Sequence, residues 1–224
     1  LYSGQGRLGP SLRAYAGQIG ALRTLADQDL IWLEKEALPW IPFAIERACF
    51  PRSVPIVADY DDAVFNRYDH HRSWAVRNLL GQKIDQVMAN AALITAGNTY
   101  LADRARAAGA RRIEIVPTVV DLSQYAPRVE SDSNKGRARI GWVGAPSTWA
   151  EFMRPMLPAL TGLAREHDAR FLVVGAGEKK QDETGLVEHR SWTDAEEVAH
   201  IQRMAIGLMP LIDTPWARGK SGYK

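Results

Sequence analysis

"ALITAGNTYLADRARAAGARRIEIVPT", residues 92–118, decides how this chain folds. Its opening, "ALITAG", is a short apolar run closed by a glycine and reads as a buried strand; "NTYLADRARAA" has helical spacing and stops at Gly109; "RIEIVPT" is a strand again. A strand, a helix and a further strand imply two parallel strands joined by a right-handed crossover. The same alternation extends upstream. Leu12, Tyr15, Ile19, Leu22 and Leu25 form a helical stripe between Ser11 and Gln28, and "DLIWLEK" follows as a strand. A Pro-bounded helix over Ile41–Ala48, the strand "VPIVADY" and one long helix near Arg72–Ala91 complete the series. Together these predict an open α/β sheet.

Downstream, residues 123–137, "SQYAPRVESDSNKGR", are polar and rich in turn formers. They read as a linker between a first domain, residues 1–122, and a second, residues 138–224. The alternation restarts with the strand "RIGWVG", a helical region from Thr148 to about His167, "RFLVVG", a short strand near "LVEH", a helix over Asp194–Met204 and "IGLMPL". Thr148 with Glu151, and Thr193 with Glu196, have capping-box spacing, while Pro155 and Pro158 predict a split in the first helix.

Composition narrows the chemistry. Lys and Arg number 28 against 26 Asp and Glu, without a basic face, so nucleic acid is not an expected partner. The single cysteine, Cys49, has no thiol to pair with, which fits a reducing compartment and an expected cytoplasmic location. No apolar run is long enough to span a bilayer. The chain opens without Met and closes four residues after Lys220, and reads as cut at both ends.

In open α/β sheets, ligands bind beyond the carboxyl ends of the strands. After "VPIVA" comes "DYDD", with Asp59, Asp61 and Asp62 at a strand end; alternation puts Asp59 and Asp61 on one side. Asp-x-Asp also suits a hard metal ion holding a diphosphate, a weak signal by spacing alone. The second half supplies three strand-end loops suited to anions: "GAPST", "GAGEK" and "DTPWARGK". Gly219-Lys220-Ser221 resembles the close of a P-loop, but the position that needs the earlier glycine is Thr214, so an ATPase site is excluded. A helix starting near Gly219 would set Lys220 and Lys224 one turn apart at its positive end, a placement that a bound phosphate would explain. His70 and His71 have no partner at helical spacing and read as ordinary loop residues.

The motifs "LEKEALPWIPFAIE", "DYDDAVFNRYD", "GNTYLADRARAAG", "IVPTVVDLSQYAP", "IGWVGAPST" and "IGLMPLIDTPWARGKSGYK" together resemble bacterial glycosyltransferases of the GT-B fold, of the group 1 or family-four-like retaining type. The resemblance covers nearly the whole chain. It implies two Rossmann-like domains facing across a cleft, with a nucleotide-diphosphate sugar held by the second and the acceptor by the first. It implies no metal and no cofactor beyond that donor substrate. By the same resemblance Asp61, Asp62 and Lys220 are the catalytic candidates, although related enzymes often carry a His-Asp pair where Asp61 and Asp62 stand. Gly144, Pro146, Ser147, Thr148, Gly175, His189, Arg190, Trp192, Trp216, Gly219 and Lys224 are the donor-binding candidates. Many relatives carry a glutamate at the position of Gly219, so the resemblance leaves the sugar unspecified. The implied acceptor is a glycan or a lipid-linked species, with peripheral membrane contact on the cytoplasmic face. The alternatives are a sugar-nucleotide epimerase of similar shape, a non-catalytic sugar-nucleotide-binding module, and a metal-dependent single-domain transferase built on "DYDD".

Overall fold

The structure, a computed structural model, describes residues 8–127, 137–177 and 185–222. Contacts divide the chain into two compact units, one running to Thr118 and including Asp213–Gly222, the other Val119–Ile212. The strand–helix alternation alone assigns residues 213–222 to the second domain, because alternation follows chain order and packing need not. The middle of the expected linker lies outside the described residues.

The first unit begins with helix α1 (Leu8–Arg23) and a 3₁₀ turn over Thr24–Asp27. Its sheet contains β1 (Ile31–Glu34), β2 (Ile56–Tyr60), β3 (Leu93–Ala96) and β4 (Ile113–Ile115), all parallel and in the order β1-β2-β3-β4. Helices α2 (Phe43–Cys49), α3 (Asn66–Asp69), α4 (Trp74–Leu80), α5 (Lys83–Asn90) and α6 (Thr99–Ala107) connect them. The register sets Glu34 beside Asp59 and Asp59 beside Thr95, so the carboxyl ends of three strands line up. Asn98 caps α6, its side-chain oxygen accepting from the Leu101 amide at 2.9 Å, and Gly109 at φ 88° turns the chain out of that helix.

The long helix expected over Arg72–Ala91 is two helices, broken at Gly81–Gln82. A Cβ on Gly81 would come within 2.3 Å of the Arg77 carbonyl oxygen, so the break is built around the missing side chain. The residue that opens the second piece, Lys83, is only 1% exposed. Its ammonium lies 2.6 Å from Glu36 and 2.9 Å from Glu46, and donates to the Leu38 carbonyl at 2.5 Å. Glu46 also accepts from the amides of Ala37 and Leu38 at 3.2 and 3.0 Å, and the Tyr68 hydroxyl donates to Glu36 at 2.8 Å. Burial, with Glu36 nearby, holds the Tyr68 phenol well above its ordinary pKa, so the hydroxyl remains a donor.

The second unit has β5 (Arg139–Val143), β6 (Arg170–Val174), β7 (Val187–Arg190) and β8 (Ile206–Gly207), parallel and in the order β7-β6-β5-β8. In β6, Phe171, Leu172, Val173 and Val174 are all wholly buried, as a strand flanked on both sides within a covered parallel sheet requires. Each such side chain contributes roughly 1.5–3 kcal/mol by leaving water. From β5 the chain steps outward to β6 and β7, then crosses back to β8 on the other side of β5. The order reverses beside β5, and the crevice outside such a reversal is where open α/β sheets hold ligands.

Residues 146–166 wind continuously. Helix α7 (Pro146–Thr148) runs into a π-helical turn over Trp149–Met153, a 3₁₀ turn over Arg154–Met156 and helix α8 (Leu157–Glu166). The two prolines sit in the 3₁₀ turn and the first turn of α8, where no interior hydrogen bond is lost. Thr148 lies inside the winding, and its hydroxyl donates to the Ala145 carbonyl at 2.9 Å in place of the expected capping box. Thr193 does precede helix α9 (Asp194–Gln202), with its hydroxyl 2.9 Å from the Glu196 carboxylate. The last helix, α10, is Pro215–Arg218.

Candidate functional site

The three acids of "DYDD" go to three different partners at the carboxyl end of the first sheet. Asp59, still in β2, accepts from the Thr95 hydroxyl of β3 at 2.5 Å. Asp61 pairs with Lys35 at 2.8 Å, and Asp62 pairs with Lys220 at 2.8 Å. The expectation that Asp59 and Asp61 share a side therefore gives way to a fan, because β2 ends at Tyr60 and alternation ends with it. Among the described residues no group of three or more His, Cys, Asp or Glu side chains is arranged to hold a metal ion.

Lys220 reaches this place because residues 213–222 pack tightly against the ends of β2 and β3. A Cβ on Gly219 would come within 2.4 Å of the Ala63 Cβ, and one on Gly97 within 2.2 Å of the Ser221 hydroxyl. Ser221 donates to the Asp61 carbonyl at 2.9 Å, and the Asn98 amide donates to the Lys220 carbonyl at 3.1 Å. Asn98 thus caps α6 with one atom and holds the C-terminal segment with another.

The helix expected to begin near Gly219 is instead α10, which opens at Pro215 and closes before Gly219. Thr214 caps it, its hydroxyl accepting from the Ala217 amide at 3.1 Å, and Pro215 takes the first helical position. Lys220 follows the helix, at the end where a cation is favoured. Its ammonium lies 5.6 Å from the centre of the half-buried Trp216 ring. Trp216 also lines a groove of about 560 Å³ with Asn66, Arg67, His70, Thr214 and Pro215. Arg218 pairs with Asp213 at 2.6 Å, a hydrogen bond and a charge that raise the guanidinium pKa and lower the carboxyl pKa. Lys224 lies outside the described residues.

In the second unit the strand-end loops meet one another. A Cβ on Gly175, whose φ is 84°, would lie 2.3 Å from the Gly144 carbonyl oxygen and 3.2 Å from the Trp192 Cβ. A Cβ on Gly177 would likewise lie 2.9 Å from the Pro146 ring. Gly144, Pro146, Thr148, Gly175 and Trp192 therefore gather beyond the carboxyl ends of β5, β6 and β7, with Ser147 exposed beside them and the Trp192 side chain half open to solvent. His189 meets Trp149 edge-on at 5.7 Å, and its Nδ1 is buried without a hydrogen-bond partner among the described residues. Arg190 is tied to Glu188 at 2.7 Å, which also binds Arg203 at 3.0 Å. Burial would raise the Glu188 carboxyl pKa; Arg190 and Arg203 outweigh that and lower it.

Gly175 gives a direct test of this packing. Gly175→Ala combines a left-handed backbone with a carbonyl clash, and is expected to cost about 2–3 kcal/mol, on the order of 5–10 °C in melting temperature. Thermal unfolding followed by circular dichroism reads it; an unchanged midpoint would mean that the two loops part easily.

Lys35 is the residue that sequence reasoning missed. It ends the quoted strand "DLIWLEK", and the register of β1 on β2 would have set it near the "DYDD" turn. Burial would lower its ammonium pKa, but the bond and charge of Asp61, helped by Glu34, raise it overall, so the pair is ionic.

No protein-family model and no curated protein matches the chain. Solved structures do. A sucrose-phosphate synthase from Thermosynechococcus elongatus superposes with TM-score 0.60 at 12% identity over 92% of this chain and 56% of its own. The trehalose-6-phosphate synthase OtsA superposes with TM-score 0.54 at 14% identity over 88% of this chain and 57% of its own, and an OtsA apo structure with TM-score 0.52 at 13% identity. The chain thus spans a little over half the length of these synthases. It shares their fold, that of GT-B glycosyltransferases, with parallel α/β units in the order the sequence implied.

Proposed function

We propose that this chain is part of a glycosyltransferase that moves a sugar from a nucleotide-diphosphate sugar to an acceptor hydroxyl, with retention of anomeric configuration and without a metal. The observation that carries the reading is the 2.8 Å pair of Lys220 with Asp62, built by residues far apart in the chain at the carboxyl edge of a parallel sheet. The GT-B fold of the structural neighbours, two of them named for sugar-phosphate synthesis, supports the same class.

In this reading the Gly144–Thr148 turn, Gly175, His189, Arg190 and Trp192 are the donor-binding candidates of the second unit. The acceptor is a sugar, sugar phosphate or lipid-linked glycan. As the anomeric C–O bond breaks, its electron pair goes to the departing phosphate oxygen, and negative charge grows there. An ammonium has three N–H donors, so Lys220 can give one to Asp62 and aim others at that oxygen. Asp62 keeps the lysine in place and charged. Asp61 accepts a hydrogen bond from the incoming hydroxyl and takes its proton as the new C–O bond forms on the face that the diphosphate leaves.

Screening nucleotide sugars on the full-length protein, with nucleoside diphosphate release as the readout, tests the class, and product analysis separates transfer from epimerisation. Asp61→Asn is expected to lower transfer about tenfold or more, within the range for a misplaced proton acceptor. Wild-type transfer by that variant would reduce Asp61 to a turn residue.

A further inference from the structure

Lys35 stands in an unusual conformation. Among the described residues only Lys35, Trp40 and Asp168 combine a side chain beyond glycine with a positive φ, at 65°, 64° and 48°. Asp tolerates that region; Lys and Trp do not, and each pays about 1–2 kcal/mol to be there. Two of the three bracket a single loop, at the carboxyl end of β1.

The strain is held in place from several directions. The Lys35 amide donates to the Asp59 carbonyl at 3.0 Å, and the fully buried Tyr60 hydroxyl donates to the Lys35 carbonyl at 2.9 Å. At the other end the Trp40 amide donates to the Tyr68 hydroxyl at 3.0 Å, and that hydroxyl donates to Glu36. Between them, Glu36 and Leu38 are tied to buried Lys83. Strain fixed this thoroughly is characteristic of functional loops.

The turn itself has a plain use. Had β1 continued, Lys35 would fall on the same side as buried Leu33, and the left-handed residue takes it out of that position. Glycine would make the same turn without steric cost. Lysine at this position is explained by where its ammonium goes: 2.8 Å from Asp61 Oδ1 and 3.2 Å from Glu34 Oε1. The Lys35 side chain is 23% exposed and that of Asp61 49%, so the carboxylate keeps one open side while the lysine backs the other.

We infer that Lys35 is a positioning residue that orients the Asp61 carboxylate toward the acceptor, and that the strained loop is retained to present it. The inference rests on the proposed glycosyl transfer. Lys35→Gly, Lys35→Met and Lys35→Arg in the full-length protein test it, with melting temperature and steady-state kinetics for both substrates measured together. Lys35→Gly is expected to melt at or up to about 4 °C above wild type, since the strain is relieved. Its kcat should nevertheless fall about tenfold or more, as should that of Lys35→Met, with the donor KM within about twofold of wild type. Lys35→Arg should retain more activity than either, because it keeps the charge beside Asp61.

A merely structural lysine would lose stability and activity together, so a Lys35→Gly midpoint several degrees below wild type would overturn the inference. Full activity in a folded Lys35→Gly would overturn it too, while leaving the transferase reading intact. A wild-type protein that releases no nucleoside diphosphate from any nucleotide sugar would sink the transferase reading first.

Discussion

Lys220→Ala is expected to lower turnover about a hundredfold or more, measured as nucleoside diphosphate release by the full-length protein. Removing one fixed donor from a developing oxyanion costs roughly 3–4 kcal/mol in other enzymes, and tenfold in rate corresponds to about 1.4 kcal/mol. The substitution also leaves Asp62 without its 2.8 Å partner. Lys220→Arg separates the two effects, since it restores the charge without the compact geometry of an ammonium. Unchanged release by Lys220→Ala would remove the residue from the mechanism and leave the pair as a packing contact.

The second large effect concerns stability. Lys83→Met would leave Glu36 and Glu46 buried together, with the Leu38 carbonyl deprived of its donor. Deleting one member of a buried ion network costs about 3–5 kcal/mol, which for a chain of this size lowers the melting temperature on the order of 10 °C. Neutralising the acids in the same protein, Glu36→Gln and Glu46→Gln with Lys83→Met, should recover part of that loss, because no unpaired charge remains. A loss below about 1 kcal/mol for the single variant would mean that water reaches the network.

Much of the architecture was legible because it depends on local signals. "ALITAG" and "RFLVVG" are apolar runs closed by glycine, and each is a strand ending where expected, at Ala96 and Val174. Asp61, Asp62 and Lys220 could be named as candidates from their places beside strand ends, but the ion pairs of Asp61 with Lys35 and of Asp62 with Lys220 could not.

What remained hidden was tertiary. Lys83 is one polar position in the stretch expected as a long helix, and its distant partners Glu36, Leu38 and Glu46 make it a buried anchor beside a helix break. Lys35 gave no hint of left-handed backbone, since lysine has no preference for it. Gly219 does not open a helix; it lets the chain pass within touching distance of Ala63. Thr214 and Pro215 were the true start signal, a capping residue followed by proline.

The assignment of Asp213–Gly222 to the first unit makes that unit discontinuous, with Val119–Ile212 inserted into it. A fragment ending at Thr118 would therefore leave Ala63 and Gly97 uncovered and Asp62 without its lysine. The first unit is not a separable cassette: it is completed only after synthesis has passed through Val119–Ile212, and a peptide of residues 213–222 supplied in trans is what such a fragment would need.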